Sequence, residues 1–191
     1  KLIVGIVVDQ MRWDYLHRYY NLYCEGGFKR LMNEGFDCEN TMINYIPAIT
    51  AVGHTSIYTG TVPSIHGIQA NNFLLNGKMT YCTADSTVSG VGTDSKAGQM
   101  SPRNMLTTTI GDELKVATNF KSRVFGVSIK DRAAILPAGH AADAAYWIDS
   151  KQSKFITSNY YMKQLPAWVE KYNKKISKYT SDQISYSPVG N

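Results

Sequence analysis

The sequence predicts a layered α/β fold, and three observations carry that prediction. Residues 2–8 form a continuous apolar run rich in β-branched residues, the pattern of a strand covered on both faces, and residues 123–129 read as another buried strand. Between them lie stretches with apolar residues near helical spacing, giving a strand–helix–strand–helix–strand order. With 191 residues, 43% of them hydrophobic, the chain has enough material for one sizeable core.

Each element has its own local reason. Residues 2–8 run as an apolar strand directly into Asp9. Residues 14–35 read as helical: Leu16, Tyr19, Tyr20 and Tyr23 lie near helical spacing, and Phe28, Leu31 and Met32 continue an apolar face beyond Gly26 and Gly27. Residues 38–45 resemble a strand, Pro47 breaks it, and residues 50–59 turn helical before Gly60. The stretch 61–92 is rich in Gly, Asn, Pro and Thr, with extended pieces at 73–75 and 79–83 flanking Asn76-Gly77, a tight-hairpin dipeptide. So long an excursion inside a domain often shapes a binding site. Ser101-Pro102 reads as the opening of a helix to about Ala117, since proline fits a first helical turn. Residues 123–129 and 145–148 are the later strands. There are no internal repeats. From Lys174 the periodicity fades, so 1–173 is assigned to one domain and 174–191 to a basic, weakly structured segment.

Composition bounds the function. The net charge of +5 favours anionic substrates by steering. The late lysines Lys163, Lys171, Lys174, Lys175 and Lys178 read as a solvated helix face and tail. Basic residues do not interleave with aromatics as a nucleic-acid module requires, and no run reaches the length of a membrane span. Cys24, Cys38 and Cys82 have no CxxC spacing, so they are buried thiols or one disulfide plus a free thiol. The chain starts on a strand without a charged and an apolar leader region, as in a cytoplasmic protein or one whose signal peptide has been removed.

The candidate site residues each carry two readings. Asp9 is a lone carboxylate at a strand's end and needs compensation, either as a helix cap or as a metal ligand. Thr50 opens a helix, as an N-cap or as a nucleophile whose charge the helix N-terminus favours. No histidine adjoins it as a base, so metal activation is the more economical route. Thr55, one turn on, is assigned to packing. His54, His66 and His140 lack the i, i+4 pairing of a helical zinc site and are set aside as ligands. Asn71 and Asn72 are loop residues or donors to a phosphate oxygen. Lys130 and Arg132 stand two apart in an extended segment and so share a face. They form either a clamp on one dianion, Arg bidentate and Lys a point charge, or an exposed pair flanking Asp131.

Six motifs in order, VVDQMRWDYL (7–16), INYIPAITAVGHTSIYTGTVPSIHGI (43–68), MSPRN (100–104), TIGDEL (109–114), SIKDRAAILPAGHAADAAYWID (128–149) and TSNYYM (157–162), resemble the alkaline phosphatase superfamily. They fit its type I phosphodiesterase/nucleotide pyrophosphatase branch, and within it the phosphate-irrepressible alkaline phosphatases, over about residues 1–173. The resemblance implies a three-layer α/β/α sandwich, of which 1–173 is the N-terminal part of the catalytic domain. It implies metal-dependent hydrolysis of phosphate monoesters through a phosphothreonine on Thr50, with two zinc ions per complete site and Asp9 and Thr50 among their ligands. Asn71, with Asn72 as the fallback, Lys130 and Arg132 then hold the phosphoryl oxygens. The Lys-x-Arg pair matches the monoesterases and is generally lacking in diesterase relatives. The remaining Asp and His ligands are expected beyond residue 191, which makes the chain an incomplete fragment. Export to the periplasm or the medium, with a signal peptide removed, and a small-molecule phosphate ester as partner complete the expectation. A phosphodiesterase or nucleotide pyrophosphatase on the same scaffold, and a truncated domain that binds anions without turnover, remain as alternatives.

Overall fold

The computed structural model describes residues 1–176. The chain divides into two compact units, Lys1–Asn44 and Tyr45–Asn191.

In the first unit short turns replace the long helix expected over 14–35. Helix α1 (Asp14–Arg18) passes into a 3₁₀ turn, Tyr20–Leu22, then a wide turn, Glu25–Lys29, and helix α2 (Arg30–Glu34). Gly27 leaves helical backbone space at φ −108° and ψ −122°, which divides the two helical stretches at the glycine pair. Aromatic contacts hold the unit: the Tyr23 hydroxyl donates to the Tyr15 carbonyl at 2.7 Å, and the Tyr23 and Phe28 rings lie 5.0 Å apart. The strands expected over 2–8 and 38–45 do not form, and Leu2 and Ile6 are 89% and 78% exposed. An apolar run becomes a strand only where a neighbour satisfies its backbone and layers cover its faces. Among the described residues no strand pairs with either segment.

The second unit holds the layers. Helix α3 (Thr50–Thr59) occupies the expected range and ends at Gly60, followed by the short α4 (Pro63–His66). Strands β1 (Asn72–Leu75) and β2 (Lys78–Tyr81) form the expected hairpin, Asn72 opposite Tyr81. Its turn places Asn76 at φ 50° and Gly77 at φ 76°, the left-handed backbone that Asn-Gly accommodates. Strands β3 (Gly90–Val91), β4 (Phe125–Val127), β5 (Ala144–Asp149) and β6 (Lys154–Ser158) make a sheet of order β3-β6-β5-β4. Only β4–β5 is parallel, joined through helix α6 (Asp131–Ala138).

Alternation along β5 sorts the faces. Ala145 and Trp147 pack with Ala134, Ile135 and Ala138 of α6, while Ala144 and Tyr146 pack with Val169 of helix α7 (Ala167–Ile176). The order helix–sheet–helix is the three-layer arrangement expected. The α6 backbone comes so close to β4 that a Cβ on Gly126 would collide with the Ala134 carbonyl. Strand β4 is covered on one face only, with Phe125 and Val127 exposed, and so is not the fully buried strand expected over 123–129.

Two other expectations are corrected. The helix expected from Ser101 starts instead as α5 (Ile110–Ala117). Thr109 and Asp112 form a reciprocal capping box there, whereas the Ser101 hydroxyl is committed to Asp85 at 2.6 Å. The cysteines are all unpaired, with Cys82 buried and Cys24 and Cys38 exposed. Of the segment expected to be weakly structured from Lys174, residues 174–176 continue α7; its remainder, with Lys178, lies outside the described residues.

A polar knot braces the exit of the hairpin. Asp85 accepts from the hydroxyls of Ser101 and Thr87, each at 2.6 Å, from the Thr87 amide at 2.9 Å and from Arg103 Nη1 at 2.9 Å. Asn104 Nδ2 reaches the Cys82 and Ala84 carbonyls. Burial alone raises a carboxyl pKa, but these donors reverse the sign and bring Asp85 to about 2 from an ordinary 3.8. The folded-state value lies below the unfolded one, so the carboxylate stabilises the fold fully above about pH 4 and loses that contribution towards pH 2. Asp85→Asn should therefore lower the urea midpoint at pH 7, and the gap to wild type should close as the pH falls from 4 to 2. A gap that stays constant across that range would show that the charge contributes nothing.

Candidate active site

The open end of the β1–β2 hairpin ties down the starts of two helices. Across it, the Cys82 amide donates to the Asn71 carbonyl at 2.9 Å, which sets Asn71 beside the end of β2. Helix α3 has Ile49 at its N-cap, whose side chain caps nothing. The Asn71 side chain does that work from outside, Oδ1 accepting from the Ala51 amide at 3.0 Å. Thr50 is thus the first helical residue and not the N-cap, half-buried next to the amide that Asn71 holds.

Helix α6 is tied to the same end of the hairpin. The Tyr81 hydroxyl donates to Asp131 Oδ1 at 3.0 Å and accepts from Arg132 Nη1 at 3.0 Å, while the Thr83 hydroxyl donates to Asp131 Oδ2 at 2.6 Å. Beneath these contacts Ala51, Phe73, Cys82 and Leu136 share one buried cluster, joining α3, the hairpin and α6. Arg132 and Leu136 are one turn apart, so one face of α6 carries both the cation and its packing anchor. The site is therefore built on a rigid core.

Electrostatics follow from this geometry. A helix start presents unpaired amides and the positive end of its dipole. Lys130 is the exposed N-cap of α6 and Arg132 lies in its first turn. The expected alternation of the two in one extended segment does not hold: only Lys130 is extended, and the helix start groups them. Burial works against the Arg132 charge, but the Tyr81 hydrogen bond and the nearby Asp131 leave its pKa raised. Burial first, then the charge of Asp131, push the Tyr81 phenol well above its usual value, so it stays protonated in alkali. Burial likewise carries the Cys82 thiol to about 12, which makes it a packing group and no nucleophile.

The other candidates fall into place. Thr55 is buried and donates to the Ala51 carbonyl at 2.7 Å, a packing role as expected. His54 Nδ1 lies 2.8 Å from the Thr50 carbonyl. His66 accepts the Ile68 amide on Nδ1 at 3.1 Å, so its Nε2–H points to Ser56 at 3.0 Å. Burial lowers its pKa, and with Nε2 protonated it is no base for that serine. Asn72 belongs to β1 and its side chain is exposed. Asp9 lies in the first unit, where Oδ1 accepts from the Gln10 amide at 3.1 Å. The structure thus brings Thr50, Asn71, Arg132 and Lys130 to two neighbouring helix starts. Tyr81, Thr83 and Asp131 join them without having been anticipated; Asp131 was visible between two cations, but nothing local pairs it with residues about fifty positions away.

The described residues do not by themselves supply a full zinc ligand set. A zinc centre takes about four ligands, and among the described residues no group of three or more His, Cys, Asp or Glu comes together. Among the described residues, no helix is long and apolar enough to cross a membrane.

The fold thus sets two helix starts and an arginine at one hairpin end of mixed α/β layers. Residues 3–187 match the family described as type I phosphodiesterase / nucleotide pyrophosphatase, and the chain belongs to that family. It is 60% identical over 177 residues to a protein of Myroides odoratus named calcium-transporting ATPase, covering 92% of this chain and 32% of that one. It is 59% identical over 178 residues to alkaline phosphatase PafA of Elizabethkingia meningoseptica, covering 92% and 33%. The crystal structure of wild-type PafA matches with a TM-score of 0.86 and 58% identity over 88% of this chain and 33% of that chain. A PafA variant substituted at one threonine, one asparagine, one lysine and one arginine gives the same TM-score at 56% identity. The chain spans about a third of the length of these relatives.

The cap on α3 is separable from whatever Asn71 does to a ligand. Asn71→Leu leaves the Ala51 amide without its acceptor and should cost about 0.5–2 kcal/mol. Asn71→Asp keeps the acceptor and puts a negative charge at a helix start, so stability should be retained. Urea unfolding of both variants checks this, and equal losses would show that the Oδ1 contact is not what holds the helix start.

Proposed function

We propose that the protein carrying this chain hydrolyses phosphate monoesters through a covalent phosphothreonine on Thr50. The observation that carries the reading is the convergence of the α3 and α6 starts on the hairpin's open end, with Asn71 and Arg132 fixed there. A phosphoryl group in flight spreads charge over its nonbridging oxygens, and donors aimed at them lower the barrier. Asn71 has spent Oδ1 on Ala51, which leaves the two Nδ2 hydrogens to donate. Arg132 offers planar donors and Lys130 a point charge. Thr50 Oγ1 gives up its proton and bonds to phosphorus, the ester P–O bond breaks and its oxygen leaves protonated as the alcohol, and water then breaks the Oγ1–P bond, releasing phosphate and returning a proton to Thr50.

Two findings support this assignment beyond the geometry. The relatives include proteins named as alkaline phosphatases. In the substituted PafA variant, the threonine and asparagine are as far apart along the chain as Thr50 and Asn71, and the lysine and arginine stand two apart as Lys130 and Arg132 do. Residues 1–173 then belong to the catalytic domain. Zinc stays in the proposal as a property of the whole protein, with Asp9 and Thr50 the two residues here that the resemblance assigns to it. Export to the periplasm or medium rests on the same resemblance.

Thr50→Ala should abolish phosphoenzyme formation and lower turnover by orders of magnitude, while Thr50→Ser keeps part of both. Labelled phosphate trapped on any other residue would end the assignment. The substrate class has its own test in the Lys130→Ala/Arg132→Ala pair. Charge-assisted hydrogen bonds contribute roughly 1.5–3 kcal/mol each, so monoester turnover should fall on the order of a hundred- to ten-thousand-fold. Diester turnover should fall much less, because a diester presents one charged oxygen fewer. Equal losses on both substrates would count against the clamp and favour a merely structural pair, whereas a strong preference of the unsubstituted protein for diesters would select the phosphodiesterase reading of the same scaffold.

A further inference from the structure

Arg132 is held in an unusual way for a residue meant to bind a mobile ligand. Its Nη1 donates to a phenol oxygen, and its Nε–H is shut off from solvent with no acceptor among the described residues. On a guanidinium, Nε and Nη2 form the edge away from Nη1, the edge that binds two oxygens of one anion side by side. With Nη1 committed, that edge is what remains for a ligand, and an anion seated there would satisfy the orphaned Nε.

The partner that commits Nη1 is itself fixed. The single Tyr81 hydroxyl proton goes to Asp131 Oδ1, so the oxygen is turned to accept from Arg132. The Thr83 hydroxyl holds the other Asp131 oxygen. Thr83, Asp131, Tyr81 and Arg132 thus form one directed chain of hydrogen bonds, in which each bond polarises the next. Asp131 and Arg132 are neighbours in the first turn of one helix, where adjacent side chains do not face each other, so the helix itself sets up no direct ion pair between them. No such pair forms: the carboxylate is occupied by two hydroxyls, and the charge reaches the guanidinium through the phenol.

We propose that Tyr81 is a positioning residue for Arg132: anchored by Asp131 and Thr83, it holds Nη1 so that the Nε–Nη2 edge faces the phosphoryl oxygens of the substrate. This rests on the phosphatase reading above and adds to it the device that aims the arginine. Tyr81 touches no substrate, and its effect passes through Arg132 alone. The alternative is a structural role, in which Tyr81 merely joins the hairpin to α6.

A double-mutant cycle with inorganic phosphate as the probe separates the two, by calorimetric titration of the intact protein that carries this chain. Arg132→Ala should weaken phosphate binding on the order of ten- to a hundred-fold, and Tyr81→Phe about three- to tenfold. In the Arg132→Ala background, Tyr81→Phe should then have no further effect. The same loss from Tyr81→Phe in both backgrounds, or none in the wild-type background, overturns the positioning role while leaving the phosphatase reading intact. No loss from Arg132→Ala overturns both. Asp131→Asn gives a second readout with an opposite sign under the two accounts. Removing a negative charge near an anion site tightens binding by simple electrostatics, whereas loosening the anchor of Tyr81 weakens it. Weaker binding supports the relay, and tighter or unchanged binding refutes it.

Discussion

The hydrogen bond from the Ala51 amide to Asn71 Oδ1 is the constraint on which the site depends. A helix whose own N-cap side chain cannot accept must find an acceptor elsewhere, and α3 finds it on a residue just outside a hairpin. Because Asn71 is also bonded across the hairpin to Cys82, the helix start and the end of β2 become one body. Tyr81 and Thr83 then extend that body to α6. The buried cluster of Ala51, Phe73, Cys82 and Leu136 keeps the three pieces in contact without polar help. Two positive helix ends, an arginine and a lysine gather in this way, with Asp131 as the one carboxylate in the hydrogen-bonded group.

Such a concentration of positive potential is costly for a fold at rest. Arg132 sits at the positive end of its own helix, which disfavours it. Burial opposes its charge as well, yet the phenol and the carboxylate hold it protonated and in place. The Nε without an acceptor among the described residues shows that the compensation is incomplete. Strain of this kind is better tolerated where a ligand relieves it, and an anion bound at the Nε–Nη2 edge would do so.

Local signals in the sequence translated well. Asn76-Gly77 specified the hairpin turn because few other dipeptides adopt left-handed backbone at both positions. Pro47 and Gly60 bracketed α3, and the residues from Ala144 to Asp149 made the expected strand. Thr50, Asn71, Lys130 and Arg132 were named as candidates through the family resemblance, and the structure groups them around the starts of α3 and α6. Several of the failures share a cause in partners that lie far along the chain. The apolar run 2–8 looks like a strand, but a strand exists only with neighbours, and none pairs with it among the described residues. Ser101-Pro102 imitated a helix opening because its hydroxyl's true acceptor, Asp85, is sixteen residues back. The capping box Thr109-x-x-Asp112 was local and legible, and the proline obscured it. The Tyr81–Asp131–Arg132 relay had no sequence signal, since hydrogen bonds between a hairpin and a distant helix leave no spacing rule.

The most direct test of the central claim is a crystal structure of the protein with inorganic phosphate bound. The account predicts phosphorus at about 3–3.5 Å from Thr50 Oγ1, with phosphate oxygens on Asn71 Nδ2 and the Nε–Nη2 edge of Arg132. Phosphate seated instead against Arg103 or the lysines of α7, with the start of α3 empty, would contradict it.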